Sequence, residues 1–355
     1  MKRSAFVSNV ILLVLANLFA TYAQTSEPPV AEIVSKVDRH LTDGEKEGFS
    51  GAVLLMKEGK VLLLKGYGHA DRDRTKKITP DMYFDIGSLT KHITGVAILK
   101  LQSQGKLKVD DPISKHLTGV PADKAGITIL QLMRHTSGLP DVFGDDEDYV
   151  TKDWLVKQAL ESKLRFKPGE PGDIDDTYSS SGYSLLGAII ENVSGQTYEE
   201  YVNKDLFKPA GLKNTGYFIP KWKKEMIVCG FRDGKPWGSV RDFYGKTEPS
   251  WNLMANGGMM STVSELNAFF TAILKDKILP KAEKEFYLES AAKKGRTGRR
   301  TMSPSGDNNI FSSLYVNFID DGVSLVFFTS DNRFSLEKGF PRALFPEINK
   351  LLPAK

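Results

Sequence analysis

Two predicted β-hairpins near opposite ends of the chain constrain its fold more than any other feature. The first spans residues 51–64 around the turn Lys57–Gly59. The second spans residues 310–329 and contains Asp320-Asp321-Gly322, a sequence typical of tight hairpin turns. Between them, helical periodicity predominates, most clearly over residues 181–193. Strands from both ends with helices between them predict a two-lobed α/β chain.

The segment FDIGSLTKHITGVAILK, residues 84–100, places a serine and a lysine at the predicted start of an apolar helix. Ser-x-x-Lys is a common pattern, and it occurs in this chain at Ser88, Ser103, Ser290 and Ser335. Only Ser88 lies where a strand-like segment turns into an apolar helix. Because residues three apart share a helix face, Lys91 can reach the Ser88 hydroxyl.

The start of a helix suits nucleophilic chemistry at Ser88. Free backbone N–H groups and the helix dipole favour an oxyanion there. The apolar neighbours Ile86, Ile93 and Val96 would desolvate Lys91 and lower its pKa, which makes a neutral amine base conceivable. The alternative is an ordinary helix with a serine cap and a solvated lysine.

Further segments, in chain order, carry a family resemblance. They are Ser88–Lys91, the segment Val109–Ile113, HTSGLP within Leu132–Pro140, YSSSGYSLLG at Tyr178–Gly187 and GGMMST at Gly257–Thr262. Together they resemble the serine β-lactamase and penicillin-binding-protein superfamily. The closest branch contains class C β-lactamases, D-alanyl-peptidases and related esterases.

The resemblance implies a β-lactamase/transpeptidase-like α+β fold. An antiparallel sheet from both chain ends is flanked by helices, and a second lobe is mostly helical. The sheet lobe would comprise about 24–110 and 255–355, and the helical lobe about 111–254. These lobes would form one serine hydrolase domain over residues 24–355, with no cofactor.

The resemblance also implies the catalytic residues. Ser88 would be the nucleophile and Lys91 its partner. Tyr178 would be a proton shuttle whose phenol Lys91 can hold near ionisation. Where the family has an asparagine two residues after the tyrosine, this chain has Ser180, whose hydroxyl could still bond Lys91 but cannot offer an amide's donor and acceptor together.

The family's third motif, Lys-Thr-Gly or His-Thr-Gly, has two possible registers here. Arg296-Thr297-Gly298 fits by residue type, whereas Ser303–Gly306 fits by its distance to Phe311–Ser313 and is favoured. In that register Pro304 replaces the cation or imidazole that would meet a substrate carboxylate.

The favoured register also implies the rest of the substrate-binding region. Ser305, Gly306 and Asp307 would line the substrate and oxyanion region. The backbone N–H groups of Ser88 and Asp307 would hold the oxyanion.

Other chemistries receive little support from the sequence. Cys229 is the only cysteine, and its apolar context predicts a core position. The five histidines show no metal-binding spacing. No Gly-x-Ser-x-Gly elbow accompanies His135, which in this family has a structural role. Ser330-Asp331-Asn332 follows the last predicted strand and is interpreted as a loop.

The N-terminus resembles a secretory signal. Lys2 and Arg3 precede the apolar run Val10–Leu15, and cleavage is expected after Ala23, so residues 1–23 would be removed. An uncleaved membrane anchor is the alternative, but the run is short and Asn17 follows it closely. We therefore expect a periplasmic or secreted protein with no stable membrane span. A net charge of +4 without a basic stripe argues against nucleic-acid binding.

These observations predict an exported serine hydrolase that acts through an acyl-enzyme on esters or small amides, with a small ester, amide or peptide as its binding partner. Two alternatives remain at this level. One is β-lactamase or D-alanyl-peptidase activity. The other is a catalytically weak binding protein on the same fold, which the altered second and third motifs would suit.

Overall fold

The computed structural model describes residues 29–170, 172–245, 248–295 and 298–353. The predicted signal peptide, residues 1–23, lies outside these described residues. No helix within the described ranges is both long and apolar enough to cross a membrane.

The strands that the structure describes are β1 Gly51–Lys57, β2 Lys60–Tyr67, β3 Phe84–Asp85, β4 Gly230–Arg232, β5 Lys235–Gly238, β6 Met260–Ser261, β7 Ala292–Lys294, β8 Arg300–Met302, β9 Ser305–Asp307, β10 Ser312–Phe318 and β11 Val323–Thr329. The α-helices are α1 Val30–Lys46, α2 Leu89–Ser103, α3 Ile129–Met133, α4 Lys152–Glu161, α5 Ile174–Thr177, α6 Ser180–Ser194, α7 Tyr198–Val202, α8 Lys208–Ala210, α9 Val263–Leu274, α10 Lys281–Ala291 and α11 Phe345–Ile348.

The main sheet has the order β2-β1-β11-β10-β8-β7, and β9 also pairs with β10. Every one of these pairs is antiparallel. β1 and β11 pair over their full lengths, with Gly51 opposite Thr329 and Lys57 opposite Val323. The two terminal hairpins therefore join at the centre of the sheet, and the α+β class predicted from the sequence is confirmed.

Both faces of the central strands are covered. Val53 and Leu55 point into an apolar cluster with α1 and α11, whereas Ala52 and Leu54 point into the larger cluster that contains α2 and α9. Since successive strand residues point to opposite faces, a strand buried on both sides needs an unbroken apolar run. This explains why the sequence of β1 is apolar without alternation.

Helix α2 lies where the sheet meets the helical lobe. It contacts the helices α6, α7 and α10 and the strand β9. Its side chains are buried on most sides, including Ile93, Val96 and Leu99. The first turn of α2 therefore lies between the sheet and the neighbouring helices, where segments distant in sequence meet.

Candidate active site

Ser88 lies between a short strand and the central helix. β3 pairs with β6, with Phe84 opposite Ser261, and α2 begins one residue after Ser88. Between them Gly87 has a φ of +50°, a backbone conformation that favours glycine. The Ser88 side chain makes no capping hydrogen bond to the helix. The alternative of an ordinary serine cap is therefore wrong, and the hydroxyl is available to other groups.

Lys91 is buried beside this hydroxyl, with 5% of its surface exposed. Its Nζ donates to Ser88 Oγ at 3.1 Å and to the carbonyl oxygen of Asn256 at 2.8 Å. Burial lowers the Lys91 pKa to about 7, although the charges of Asp141 and Asp146 oppose this shift. The solvated lysine of the alternative interpretation is thus also wrong, and a large fraction of this amine is neutral near pH 7.

Tyr178 reaches the same oxygen from the helical lobe. Its hydroxyl donates to Ser88 Oγ at 2.7 Å, and the Lys91 Nζ lies 4.8 Å from the centre of its ring. Burial raises the Tyr178 pKa to about 12, and the hydrogen bond to Ser88 offsets only part of this rise. The expectation of a phenol near ionisation is therefore wrong. Near pH 7 Tyr178 is therefore a neutral hydroxyl, and Lys91 is the neighbouring group whose pKa lies close to neutrality.

Neighbouring groups fix the position of Tyr178. The His135 ring stacks on its ring with centroids 4.4 Å apart, and His135 Nδ1 accepts from the Ser179 N–H at 3.0 Å. Burial lowers the His135 pKa to about 4, so the ring is neutral near pH 7. The Arg165 guanidinium donates to the carbonyl oxygens of Thr177 and Tyr178. His135 thus has a structural position, and Arg165 is a support that sequence reasoning missed.

The favoured third motif lies against the start of α2. Ser305–Asp307 forms β9, in which Gly306 lies opposite Ser313 on β10. A Cβ atom on Gly306 would lie 2.1 Å from the Ile86 carbonyl oxygen and 2.7 Å from the Ser88 nitrogen. Only glycine allows this approach of the two backbones.

The competing register is only partly within the described chain. Gly298 donates its N–H to the Gly295 carbonyl in the turn between β7 and β8. Arg296 and Thr297 lie outside the described residues.

The hydrogen bonds of β9 show where the Asp307 N–H points. Asn308 donates its N–H to the Phe311 carbonyl at 3.2 Å. Because alternate residues of an antiparallel strand bond to the partner strand, the preceding N–H, that of Asp307, points away from β10. A Cβ atom on Gly87 would lie 2.9 Å from this nitrogen. The Ser88 N–H has no acceptor among the described residues, so both it and the Asp307 N–H remain available to a group bound beside the Ser88 hydroxyl.

The Asp307 carboxylate is held by its own turn. It accepts from the Asn309 N–H at 2.7 Å and from the Ser312 hydroxyl. Burial raises its pKa. These bonds account for an acidic residue next to an oxyanion site, because the side chain is occupied within the turn. Pro304 is buried, and its carbonyl accepts from the Tyr315 N–H at 3.0 Å, so this position offers neither charge nor side-chain donor.

Ser180 lies near this group without bonding Lys91. It is buried, and its N–H donates to Asp141 Oδ1 at 2.7 Å. Among the described residues, no hydrogen bond joins its hydroxyl to Lys91. The Asn256 carbonyl bonds the ammonium group, and sequence reasoning missed it because a backbone carbonyl leaves no side-chain signature.

The remaining sequence candidates lie in other surroundings. Cys229 is buried with a pKa raised by burial, as its apolar context predicted. Asp331 forms ion pairs with Arg74 and Arg333 and follows β11, which agrees with the interpretation of this segment as a loop. Within the described ranges, no group of three or more His, Cys, Asp or Glu side chains could hold a metal ion.

Known proteins with the same sequence pattern and fold were found in three comparisons. A family model described as Beta-lactamase matches residues 35–310. Penicillin-binding protein 4* of Bacillus subtilis is 27% identical over 329 residues, which covers 81% of this chain and 70% of that protein. Protein flp of Staphylococcus aureus is 34% identical over 208 residues, or 56% of this chain. This chain spans only 41% of the length of the staphylococcal protein.

A solved structure agrees on the fold. The D-amino acid amidase of Ochrobactrum anthropi SV3, in complex with L-phenylalanine, superimposes with a TM-score of 0.72 at 21% identity and covers 90% of this chain and 97% of that chain. At this identity the likeness concerns the fold alone. The family model covers well over half of the 355 residues. The resemblance inferred from the motifs is thus confirmed, and the chain belongs to the beta-lactamase family, within the superfamily of serine β-lactamases and penicillin-binding proteins.

Proposed function

We propose that this protein is a serine hydrolase that acts through an acyl-enzyme on esters or small amides. One observation carries the proposal: Ser88 Oγ accepts hydrogen bonds from both Lys91 and Tyr178, and the nearby N–H groups of Ser88 and Asp307 have no acceptor among the described residues. A nucleophile, a base, a proton donor and an oxyanion site are the groups that acyl transfer needs. The D-amino acid amidase that shares the fold supports the inclusion of small amides.

The geometry supports a definite order of proton transfers. Neutral Lys91 takes the Ser88 proton while Oγ attacks the carbonyl carbon, and the carbonyl π electrons become an oxyanion held by the two N–H groups. Tyr178 then gives its proton to the leaving oxygen or nitrogen as that bond breaks, and the Lys91 ammonium reprotonates the phenolate. Water repeats the sequence at the acyl carbonyl and releases the acid and the Ser88 hydroxyl.

Burial of Lys91 argues against the alternative of a catalytically weak binding protein. A buried amine with few polar contacts destabilises the fold, and a scaffold has no use for it. A catalytic base, by contrast, needs a pKa close to the working pH, and burial brings Lys91 to about 7.

Pro304 supports uncharged substrates over β-lactams. A β-lactam carries a carboxylate that the family holds with a cation or imidazole at this position, and proline supplies neither. A charge-assisted hydrogen bond of that kind is worth roughly 1.5–3 kcal/mol. Its absence corresponds to about one to two powers of ten in kcat/KM.

Two measurements test the proposed reaction. A fluorophosphonate probe should label the wild type once, at Ser88, and Ser88→Ala should be neither labelled nor active. A folded Ser88→Ala protein that keeps most of its esterase activity would exclude Ser88 as nucleophile. A wild type that neither reacts with the probe nor hydrolyses any ester or amide would favour the binding protein.

A substrate comparison tests the proposed preference. Short p-nitrophenyl esters should be hydrolysed with a higher kcat/KM than a chromogenic cephalosporin. Pro304→His should improve cephalosporin turnover and leave ester turnover nearly unchanged. If the wild type prefers the cephalosporin, or if Arg296→Ala selectively removes its turnover, the favoured register and the ester preference are both wrong.

We also propose that the protein is exported, on the basis of the signal-like sequence of residues 1–23. N-terminal sequencing of the protein recovered outside the cytoplasm should start at Gln24. An exported chain that retains residues 1–23 would contradict cleavage after Ala23, and a chain recovered only from the cytoplasm would contradict export.

A further inference from the structure

Asp85 is a buried carboxylate next to the nucleophile that the proposed reaction does not use. It lies three residues before Ser88 with 3% of its surface exposed, and within the described ranges it forms no ion pair. One oxygen accepts from the Gly87 N–H at 2.7 Å, and the other accepts from the Asn308 side-chain amide at 2.5 Å. Burial raises the pKa of the Asp85 carboxyl group to about 7, and the hydrogen bonds from Gly87 and Asn308 offset only part of the cost of a charge at this position. Packing alone therefore does not explain why a carboxylate stands at this position.

Asn308 connects Asp85 to the third-motif strand. It follows Asp307 directly, and its Oδ1 accepts from the N–H groups of Ile310 and Phe311 at 3.1 and 2.7 Å. Its Nδ2 donates to Asp85. Both ends of this one side chain are thus fixed, one in the turn that ends β9 and the other at the end of β3, three residues before Ser88.

We propose that Asp85 and Asn308 are positioning residues that hold the two N–H groups of the oxyanion site at their working separation. This inference rests on the proposed function. The Asp85 bond to the Gly87 N–H fixes the turn that directs the Ser88 N–H. The Asn308 bond fixes the residue next to the Asp307 N–H.

A second side-chain hydrogen bond joins the same two parts of the chain. The Ser313 hydroxyl donates to the Ile86 carbonyl at 2.7 Å, on the same loop. The segment before Gly87 is thus linked twice to the third-motif hairpin, from Asp85 to Asn308 and from Ile86 to Ser313 on β10. A shift of a few tenths of an ångström between them would lengthen a hydrogen bond to an oxyanion, and such bonds require donors at about 2.7–3.1 Å.

Exchange of the two side chains provides a sharp test. Asp85→Asn places an amide NH₂ against the Asn308 NH₂, and Asn308→Asp places two carboxylates together. The double variant Asp85→Asn/Asn308→Asp can restore every bond. Its amide at position 85 accepts from the Gly87 N–H and donates to the carboxylate at position 308, which also accepts from the N–H groups of the turn.

We expect each single variant to lower kcat/KM for a p-nitrophenyl ester by about tenfold to a hundredfold. The double variant should return to within about threefold of wild type.

A thionoester with the same acyl and leaving groups distinguishes positioning from general damage. Sulfur is larger and a poorer hydrogen-bond acceptor, so an intact oxyanion site favours the oxygen ester. The oxygen-to-sulfur rate ratio should fall in each single variant and recover in the double variant. Asn317→Ala, which removes a buried amide on β10 that bonds neither Asp85 nor Asn308, should leave the ratio unchanged.

The outcomes separate the two proposals. If wild type hydrolyses the ester and Ser88→Ala does not, but the ratio is unchanged in the single variants or unrestored in the double variant, the positioning role is refuted and the proposed function stands. If Asp85→Asn does not fold, the oxygen-to-sulfur rate ratio of Asn308→Ala tests the positioning role instead, because that change keeps the Asp85 bond to Gly87. An unchanged ratio in Asn308→Ala would refute the role. A wild type without hydrolase activity overturns both proposals.

Discussion

Replacement of Lys91 by methionine should abolish hydrolysis and stabilise the fold at neutral pH. Methionine fills nearly the same volume without a charge. The fall of the Lys91 pKa from 10.5 to about 7 corresponds to about 5 kcal/mol of destabilisation. The methionine leaves the Asn256 carbonyl without its lysine donor and removes one of two donors to Ser88, which costs about 1–3 kcal/mol. We expect a net gain of about 2–4 kcal/mol in the free energy of unfolding at pH 6.5.

The gain should depend on pH with a definite sign. Below pH 7 the amine is charged in both states, so its burial costs the full amount. Between about pH 7 and 10.5 the folded protein holds a neutral amine while the unfolded chain is protonated, and the cost falls by about 1.4 kcal/mol per pH unit. The advantage of Lys91→Met should therefore shrink by about 3 kcal/mol between pH 7 and pH 9.

Urea unfolding at pH 6.5, 8 and 9 measures this difference directly. Lys100→Met is a matched control, because Lys100 lies on the same helix with a partly exposed side chain that donates to the Ile278 carbonyl. The control should show no comparable trend with pH. A Lys91→Met protein that is less stable than wild type at pH 6.5, or whose advantage does not change with pH, would refute the assignment of a buried, low-pKa amine.

The site supports three further predictions. For an uncharged ester, kcat/KM should rise as pH increases through about 7, because Lys91 must lose its proton to act as base, and a flat profile from pH 6 to 8 would contradict this role. Tyr178→Phe should lower kcat by about 10²–10⁴ with little change in the melting temperature, and a smaller loss would remove Tyr178 from the proton path. Gly306→Ala should lower stability by about 1–3 kcal/mol, since its Cβ would lie 2.1 Å from the Ile86 carbonyl oxygen. Urea unfolding tests this change against Ser305→Ala, whose exposed side chain should leave stability unaltered.

The sequence predicted the parts of this protein that depend on local order. Both terminal hairpins could be located because apolar runs and turn residues lie next to each other in the chain. The relation of Ser88 to Lys91 could be predicted from helix geometry, since residues three apart share one face. Tyr178 lies 90 residues from Ser88, and only the family resemblance linked the two. Local periodicity carries no information on which distant segments meet.

Other supports of the site could not be predicted from the residues at all. The carbonyl of Asn256 bonds Lys91, and Arg165 holds the backbone at Tyr178. The link between Asp85 and Asn308 joins positions 223 residues apart. Every residue has a carbonyl, and arginine, asparagine and aspartate are common on surfaces, so no pattern distinguishes these members from others of their kind.

The sequence by itself determined the fold class and which chemical groups stand at the start of α2. The tertiary structure decided their protonation. Ile86, Ile93 and Val96 predicted a lowered lysine pKa, but the same burial also raises the Tyr178 pKa to about 12, which the sequence analysis did not foresee. The physical reason is that desolvation depends on everything that surrounds a group in space. Around Ser88 that environment comes from four segments distant in the chain, and only folding brings them together.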